Sequence, residues 1–349
     1  MADHSKIEWT DATLNIVTGC TRVSEGCDHC YIERTPALRM ASRKFDGQGP
    51  GSTTGVQLHP ERLAQALRWR RPRRIFMPSL SDLFHEAVPD ELLVQAFAVM
   101  AVTPRHTWQI TTKRPARMRS LLADAEFWSE VAQDVVGMNV VDGVPEVPLA
   151  DDGSWYPLPN VWLGVSVENQ RWADIRVPLL LNTPAAVRWL SCEPLLGPVD
   201  LNRYLRPRRC SQCGQAWTEW ACGPTHALLA CDPGLHWVVV GGESGPGARP
   251  MHPAWARSLR DQCATAGTPF FFKQWGEWAP STAGDARGTH VVELGGPCHG
   301  RLGEAPAAIA ARGAHIVARP GKKATGRELD GRTHDAYPAE VRAAAEVQR

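Results

Sequence analysis

Six short apolar runs punctuate this chain, and each ends in polar residues before a stretch with helical periodicity begins. They are "RRIFMPSLSDLF" (73–84), "TWQITTKRP" (107–115), "NVWLGVSVEN" (160–169), "AVRWLSCEP" (186–194), "HWVVVGGESG" (236–245) and "PFFFKQWG" (269–276). Continuous apolarity with β-branched and aromatic residues suits strands buried on both faces. Between them lie "PERLAQALRWR", "DELLVQAFAVMAV" and "HPAWARSLRDQCATAG". The last predicts a helix entered at His252-Pro253 and stopped at Gly267. Strand and helix in alternation imply parallel strands with helical crossovers. With the segment before Cys20 counted as a first strand there are about seven, which predicts an α/β fold: a partial or full β/α barrel.

The polar residues fall at the same end of each run. Asp82 closes one, Lys113 the next; Ser166 and Glu168, Glu193, Glu243 and Lys273 follow. In β/α barrels the C-terminal strand ends form the mouth of the active site. Any strand turns polar where it meets solvent, so one such residue carries little. Six runs ending in candidate ligands predict a furnished site, with Asp82, Lys113, Glu193, Glu243 and Lys273 as pocket-lining, catalytic candidates.

Composition excludes several classes. The chain has 349 residues, 43% hydrophobic and 21% charged, as in ordinary globular proteins rather than disordered ones. No run of about eighteen apolar residues is present, so no membrane-spanning helix is expected. The N-terminal stretch has no apolar signal core, which predicts a cytoplasmic location where clustered thiols point to metal rather than disulfides. A net charge of +1 supplies no global attraction to nucleic acid. Local arginine clusters, "RWRRPRR" (68–74) and "RYLRPRR" (203–209), leave phosphate contact open beside the plainer reading of solvated loops. The fourteen tryptophans fit packing, with base stacking as the sharper alternative.

Two cysteine groups carry chemistry. In "TGCTRVSEGCDHCYIERTP", Cys20, Cys27 and Cys30 are spaced C-x6-C-x2-C, with Gly19 and Gly26 giving the backbone freedom to turn. Three thiolates can hold three irons of a 4Fe–4S cube and leave the fourth iron for a small molecule. A zinc site completed by His29 or a remote ligand, and a disulfide with one spare thiol, are the alternatives. Further along, "CSQCGQAWTEWACGPTHALLAC" places Cys210, Cys213, Cys222 and Cys231 where one knuckle and two more thiols can build a tetrahedral zinc site. His226 and His236 are alternative ligands there, and a second iron–sulfur cluster is the other option. Cys192, Cys263 and Cys298 have no partners at ligand spacing and are expected to be buried small hydrophobes.

The three-cysteine loop resembles that of the radical S-adenosylmethionine (SAM) superfamily. More closely, "IEWTDATLNIVTGCTRVSEGCDHCY", "FMPSLSDLF", "ITTKRP", "LGVSVENQ", "LSCEPLLGPVDL", "VVVGGESGPGARPMHP", "FFFKQWGEW" and "GRELDGRTHDAYP" resemble an uncharacterised family of phage-associated bacterial proteins. The resemblance implies a radical-SAM-like barrel over 1–280 with a cysteine-rich insert at 203–235. A variable loop at 281–319 and a C-terminal segment, 320–349, packed on the barrel complete the expected organisation. It implies a 4Fe–4S cluster whose open iron chelates SAM, an electron from a reduced donor, and a 5′-deoxyadenosyl radical that modifies an unknown substrate, a nucleobase or nucleic acid among the options. Ser166 and Glu168 are then the expected contacts to the SAM ribose. The superfamily's usual loop is C-x3-C-x2-C and its Gly-Gly-Glu follows the second strand. Here Gly241, Gly242 and Glu243 follow a late one, so no SAM amino-group role is carried over to them. A non-enzymatic, zinc-containing nucleic-acid-binding protein is the competing reading.

Overall fold

The computed structural model describes residues 4–138, 157–205, 234–281, 289–295 and 306–338. Its centre is a sheet of seven parallel strands: β1 (Ala12–Thr13), β2 (Arg74–Phe76), β3 (Thr107–Thr112), β4 (Val161–Ser166), β5 (Val187–Cys192), β6 (Trp237–Gly241) and β7 (Phe270–Gln274). Their spatial order is their chain order, and each pairs in parallel with the next. An all-parallel order without a reversal keeps right-handed crossovers on one face, so the sheet curls around the other. β1 and β7 are the two ends of the sheet and do not pair. Of the two expected forms, the partial barrel is the one adopted.

The crossovers include α1 (Leu63–Arg68), α2 (Asp90–Ala101), α3 (Pro115–Leu122), α4 (Ala125–Gly137), α5 (Gln170–Leu181) and α6 (Pro253–Ala266). α6 starts and stops where its sequence says. The His252 ring accepts the Ala254 N–H at 3.0 Å, Pro253 occupies the first turn, and Gly267 ends the helix at φ +71°. Asn169 caps α5 in the same way, accepting from the Trp172 N–H at 3.3 Å.

Period-two alternation sorts each strand onto two faces. Val161, Leu163 and Val165 of β4, Leu190 of β5 and Val238 and Val240 of β6 share one core with Phe97, Val131, Val177 and Leu259 of the helices. Burying each such side chain stabilises the fold by roughly 1.5–3 kcal/mol. Trp162, Trp189, Trp237 and Phe271 point to the other, concave face and form a second core with Trp9. Indole centroids there lie 5.1–6.1 Å apart, and Tyr337 stacks on Trp237. Gly164 makes room for this plug, because a Cβ there would stand 2.7 Å from the Trp189 ring. These five tryptophan and phenylalanine side chains are packing, not stacking surface for bases.

The plug fills the N-terminal half of the half-barrel. Toward the C-terminal ends, inward positions turn polar: Thr111 of β3, Ser166 of β4, Ser191 of β5 and Lys273 of β7. One alternation therefore gives a dry floor and a wet mouth.

Beyond β7 the stretch 281–319 contributes Thr289–Val292 and His315–Ala318, which pair with each other, and His315–Ala318 pairs in turn with Ala279–Pro280 in a small antiparallel sheet. The tail then returns along β7: Phe272 N–H donates to the His334 carbonyl at 2.9 Å, and Trp237 Nε1 to the Ala336 carbonyl at 2.8 Å. Arg327 donates to the Lys273 carbonyl at 3.1 Å, and Arg257 and Arg260 both grip Asp330. Cys192 and Cys263 are fully buried, as expected of small hydrophobes. Cys210, Cys213, Cys222, Cys231, His226 and Cys298 lie outside the described residues.

Candidate metal centre

Past β1, a short antiparallel pair of Val17–Thr18 with Gln57–Leu58 carries the chain to the C-terminal edge of the sheet. Gly19 then turns at φ +88°, and a Cβ there would strike the Gly55 carbonyl. Cys20 follows, fixed by its N–H to Thr54 Oγ1 at 3.0 Å. Two 3-10 turns, Glu25–Cys27 and Tyr31–Arg34, place Cys27 and Cys30 within electrostatic reach of Cys20. All three thiols are free and partly buried. No pair of them is joined, so the disulfide alternative is not realised.

Three carboxylates from three different places in the chain hold this loop. Glu25 of the loop itself accepts Trp172 Nε1 at 2.8 Å and the Asn169 amide. Glu168, just past β4, is fully buried; it accepts Ser24 Oγ at 2.8 Å, pairs with Lys113 at 3.2 Å and with Arg176 at 2.8 Å. Burial alone would push the Glu168 carboxyl up, but Lys113 and Arg176 outweigh it and hold the group below its usual range. Glu243, just past β6, takes the Arg249 backbone N–H at 2.7 Å and its guanidinium at 2.6 and 2.9 Å. Arg249 in turn donates to the Glu25 carbonyl at 2.8 Å, and His29 Nδ1 lies 3.1 Å from Glu243. Gly26 is required by close approach rather than by a turn: a Cβ there would lie 2.4 Å from Glu168 Oε1.

Cations surround the sulfurs. Arg114 Nη1 is 3.9 Å from Cys20 Sγ, and Lys113 and Arg22 both act on Cys30 electrostatically. Without a metal, burial dominates and then Asp82 adds to it, so the Cys20 thiol is pushed up to about 12. Burial likewise pushes Cys30 up to about 11. Thiols in such a site deprotonate when a metal takes the sulfur. Among the described residues, no three His, Cys, Asp or Glu side chains converge on a point where one ion could sit. His29 is engaged through Nδ1 by Glu243. A cubane asks less of its ligands, because each sulfur binds a different iron. Three free thiols, with cations close by, fit that group.

The other expected residues divide into two kinds. Asp82 is a strut: it accepts Thr112 Oγ1 at 2.7 Å, Lys113 N at 2.9 Å and Arg114 at 3.2 Å, tying the ends of β2 and β3 together. Glu168 and Glu243 hold the loop, and both Glu168 oxygens have protein partners where ribose hydroxyls were expected. Ser166 is largely buried, its carbonyl accepting Arg176 at 2.7 Å. Glu193 and Lys273 form a separate pair across β5 and β7, at 2.6 and 2.8 Å, extended by Gln274 to Ser244. Tyr31, next to Cys30, lies on the Glu193 side and donates to the Ser79 carbonyl.

Sequence reasoning did not single out Arg114, Arg176, Arg249, Ser24 or Glu25. Arg114 stands in "ITTKRP" and Arg249 in "GPGARPMHP". For Arg114, an arginine directly after a polar strand end was the available signal. The "RWRRPRR" cluster, by contrast, leads into the N-terminal end of β2, the far side of the sheet from the cysteines. Its Arg74 is held by Asp11 and stacks on Tyr337.

Among solved structures, a cysteine-to-serine mutant of spore photoproduct lyase is similar at 15% identity, covering 91% of this chain and 71% of that one, with a TM-score of 0.36. No curated protein matches. No helix among the described residues is long and apolar enough to cross a membrane. Residues 4–338, nearly the whole chain, match the family described as "Protein of unknown function (DUF5131)", and the chain belongs to that family.

Proposed function

We propose that this protein is a radical-SAM-like iron–sulfur enzyme in which Cys20, Cys27 and Cys30 hold a 4Fe–4S cluster. The observation that carries the reading is the position of the three free thiols, on a loop locked by three carboxylates over the polar end of a parallel half-barrel. When bound and reduced by an external donor, such a cluster with SAM supplies a 5′-deoxyadenosyl radical, and that hard chemistry belongs to the cofactor.

The chain's own residues supply aim and electrostatics. Lys113, Arg22 and Arg114 offset the negative charge of three thiolates. Glu25, Glu168 and Glu243 fix the loop, so Glu168 acts on it through Ser24 and Lys113. Ser166 remains the nearer candidate for SAM. Glu193 and Lys273, with Gln274 and Tyr31, line the substrate side and offer both a hydrogen-bond acceptor and donors. A nucleobase edge presents that combination, which supports a nucleobase or nucleic acid as substrate. The division into a barrel (1–280), an insert (203–235), a variable stretch (281–319) and a C-terminal segment (320–349) is part of this proposal. So is zinc on Cys210, Cys213, Cys222 and Cys231.

The test is turnover: anaerobically reconstituted protein with SAM and a strong reductant releases 5′-deoxyadenosine, and Cys27→Ala does not. Zinc as the sole metal in the wild-type protein, with no 5′-deoxyadenosine, would instead favour the zinc-containing nucleic-acid-binding reading.

A further inference from the structure

The strand ends are ringed by cations that the metal centre does not use. Arg34, past Cys30, donates to the Pro246 carbonyl at 3.3 Å, and Arg319 donates to the neighbouring Gly245 carbonyl at 3.1 Å. The 245–246 loop is thus gripped from both sides. Lys322 and Lys323 follow directly, on a segment joined to the loop after β7 by Gly321 N–H to the Glu277 carbonyl at 3.2 Å. Arg39 and Lys44 follow the cysteine loop along the chain. All six are exposed, and among the described residues none makes an ion pair.

Nearby carboxylates are already engaged. Glu277 Oε1 accepts the Gly245 N–H at 3.0 Å, Glu33 the Phe45 N–H at 2.7 Å and Asp46 the Thr53 N–H at 2.8 Å. Asp28 lies 3.5 Å from Arg249. Inside the rim stands Tyr31, 49% exposed although it sits beside Cys30.

We infer that this rim is a binding surface for single-stranded nucleic acid, with Arg34, Arg319, Lys322 and Lys323 on the phosphates and Tyr31 as the stacking platform for a base led to the mouth. Exposed cations without ion pairs, together with an exposed aromatic, are what non-sequence-specific strand binding uses. A strand also explains why the cations lie outside the site rather than in it: they engage the backbone while one base goes inward. The inference rests on the proposed function for the identity of the mouth, but its test does not need a cluster.

Fluorescence anisotropy of full-length protein without added iron, titrated into labelled oligo(dT) of about twenty nucleotides, is the measurement. The combined charge reversal Arg319→Glu, Lys322→Glu, Lys323→Glu is expected to weaken binding at least roughly tenfold. It should also flatten the salt dependence by about 0.7 for every phosphate that is no longer neutralised. Tyr31→Ala is expected to weaken binding about fivefold or more. Reversal of Arg68, Arg70 and Arg71 at the opposite end is the control and should change it less than about twofold. Circular dichroism establishes that each variant is folded. No binding by the wild type at low salt, or an equally large effect of the control, would overturn the inference. So would tighter binding to phosphatidylserine vesicles than to the strand. If turnover fails while rim-dependent binding persists, the chemistry is wrong and the surface stands; the converse result separates them the other way.

Discussion

Arg114 reaches the sulfur of Cys20 at 3.9 Å while its guanidinium is held by Asp82 at 3.2 Å and Glu86 at 3.0 Å. The donor is therefore fixed before any metal arrives, and the Thr21 carbonyl at 3.1 Å completes its cradle. A cation on a ligand thiolate stabilises the more negative, reduced state of a cluster.

Arg114→Gln is accordingly expected to make the bound cluster harder to reduce. The midpoint potential should fall by about 60 mV for each 1.4 kcal/mol of differential stabilisation removed. Iron content should be unchanged. A redox titration followed by electron paramagnetic resonance reads the shift; an unmoved potential would remove Arg114 from the account.

Gly26→Ala tests the close approach of loop and carboxylate. Its Cβ would stand 2.4 Å from Glu168 Oε1, inside a network that also holds Lys113 and Arg176. Overpacking of this kind costs typically about 1–3 kcal/mol, and the loop that must move carries Cys27. The variant is expected to lose both melting temperature and iron retention. Gly137→Ala, at the end of α4 with nothing within 4 Å of the added carbon, is expected to be neutral or slightly stabilising.

Trp189→Ala should empty the plug. Trp189 is fully buried among Trp9, Trp237 and the space opened by Gly164. Removing so large a buried ring costs about 3–5 kcal/mol. Chemical denaturation is expected to show that destabilisation while the cysteine loop, at the other end of the strands, still takes up iron.

His106 predicts the acid side of the stability curve. It is fully buried under α1, its Nε2 lying 3.3 Å from the Ala66 carbonyl. Burial, and then Arg105, push it down to about 4. The unfolded chain takes up this proton below about 6.5 while the folded protein does not. More protons on the unfolded state means that stability falls as pH drops from about 6.5 toward 4. The contribution is on the order of 3 kcal/mol. Urea midpoints across that range, flatter in His106→Gln than in the wild type, are the expected result.

The strands, the helix stops and the cysteine loop were legible because each is a local pattern. Six apolar runs ending in polar residues became six strands, and His252-Pro253 to Gly267 bounds α6. What the polar ends do was not legible, because it depends on which cations the folded chain turns toward them. Glu168 and Glu243 read as ligands, yet Arg176 and Arg249, a turn or a loop further on, claim them. The same limit applies to charge. "RWRRPRR" is the denser cluster along the chain, but topology sends it to the floor of the barrel, while Arg34 and Arg319, from opposite ends of the sequence, meet at one loop of the mouth.

Metal and sulfide analysis of the anaerobically reconstituted protein tests the central claim most directly. The account predicts about four irons and four acid-labile sulfides per chain, both absent in Cys27→Ala, and an electron paramagnetic resonance signal of the reduced protein that changes when SAM is added. Zinc alone, or iron that survives replacement of all three of Cys20, Cys27 and Cys30, would contradict it.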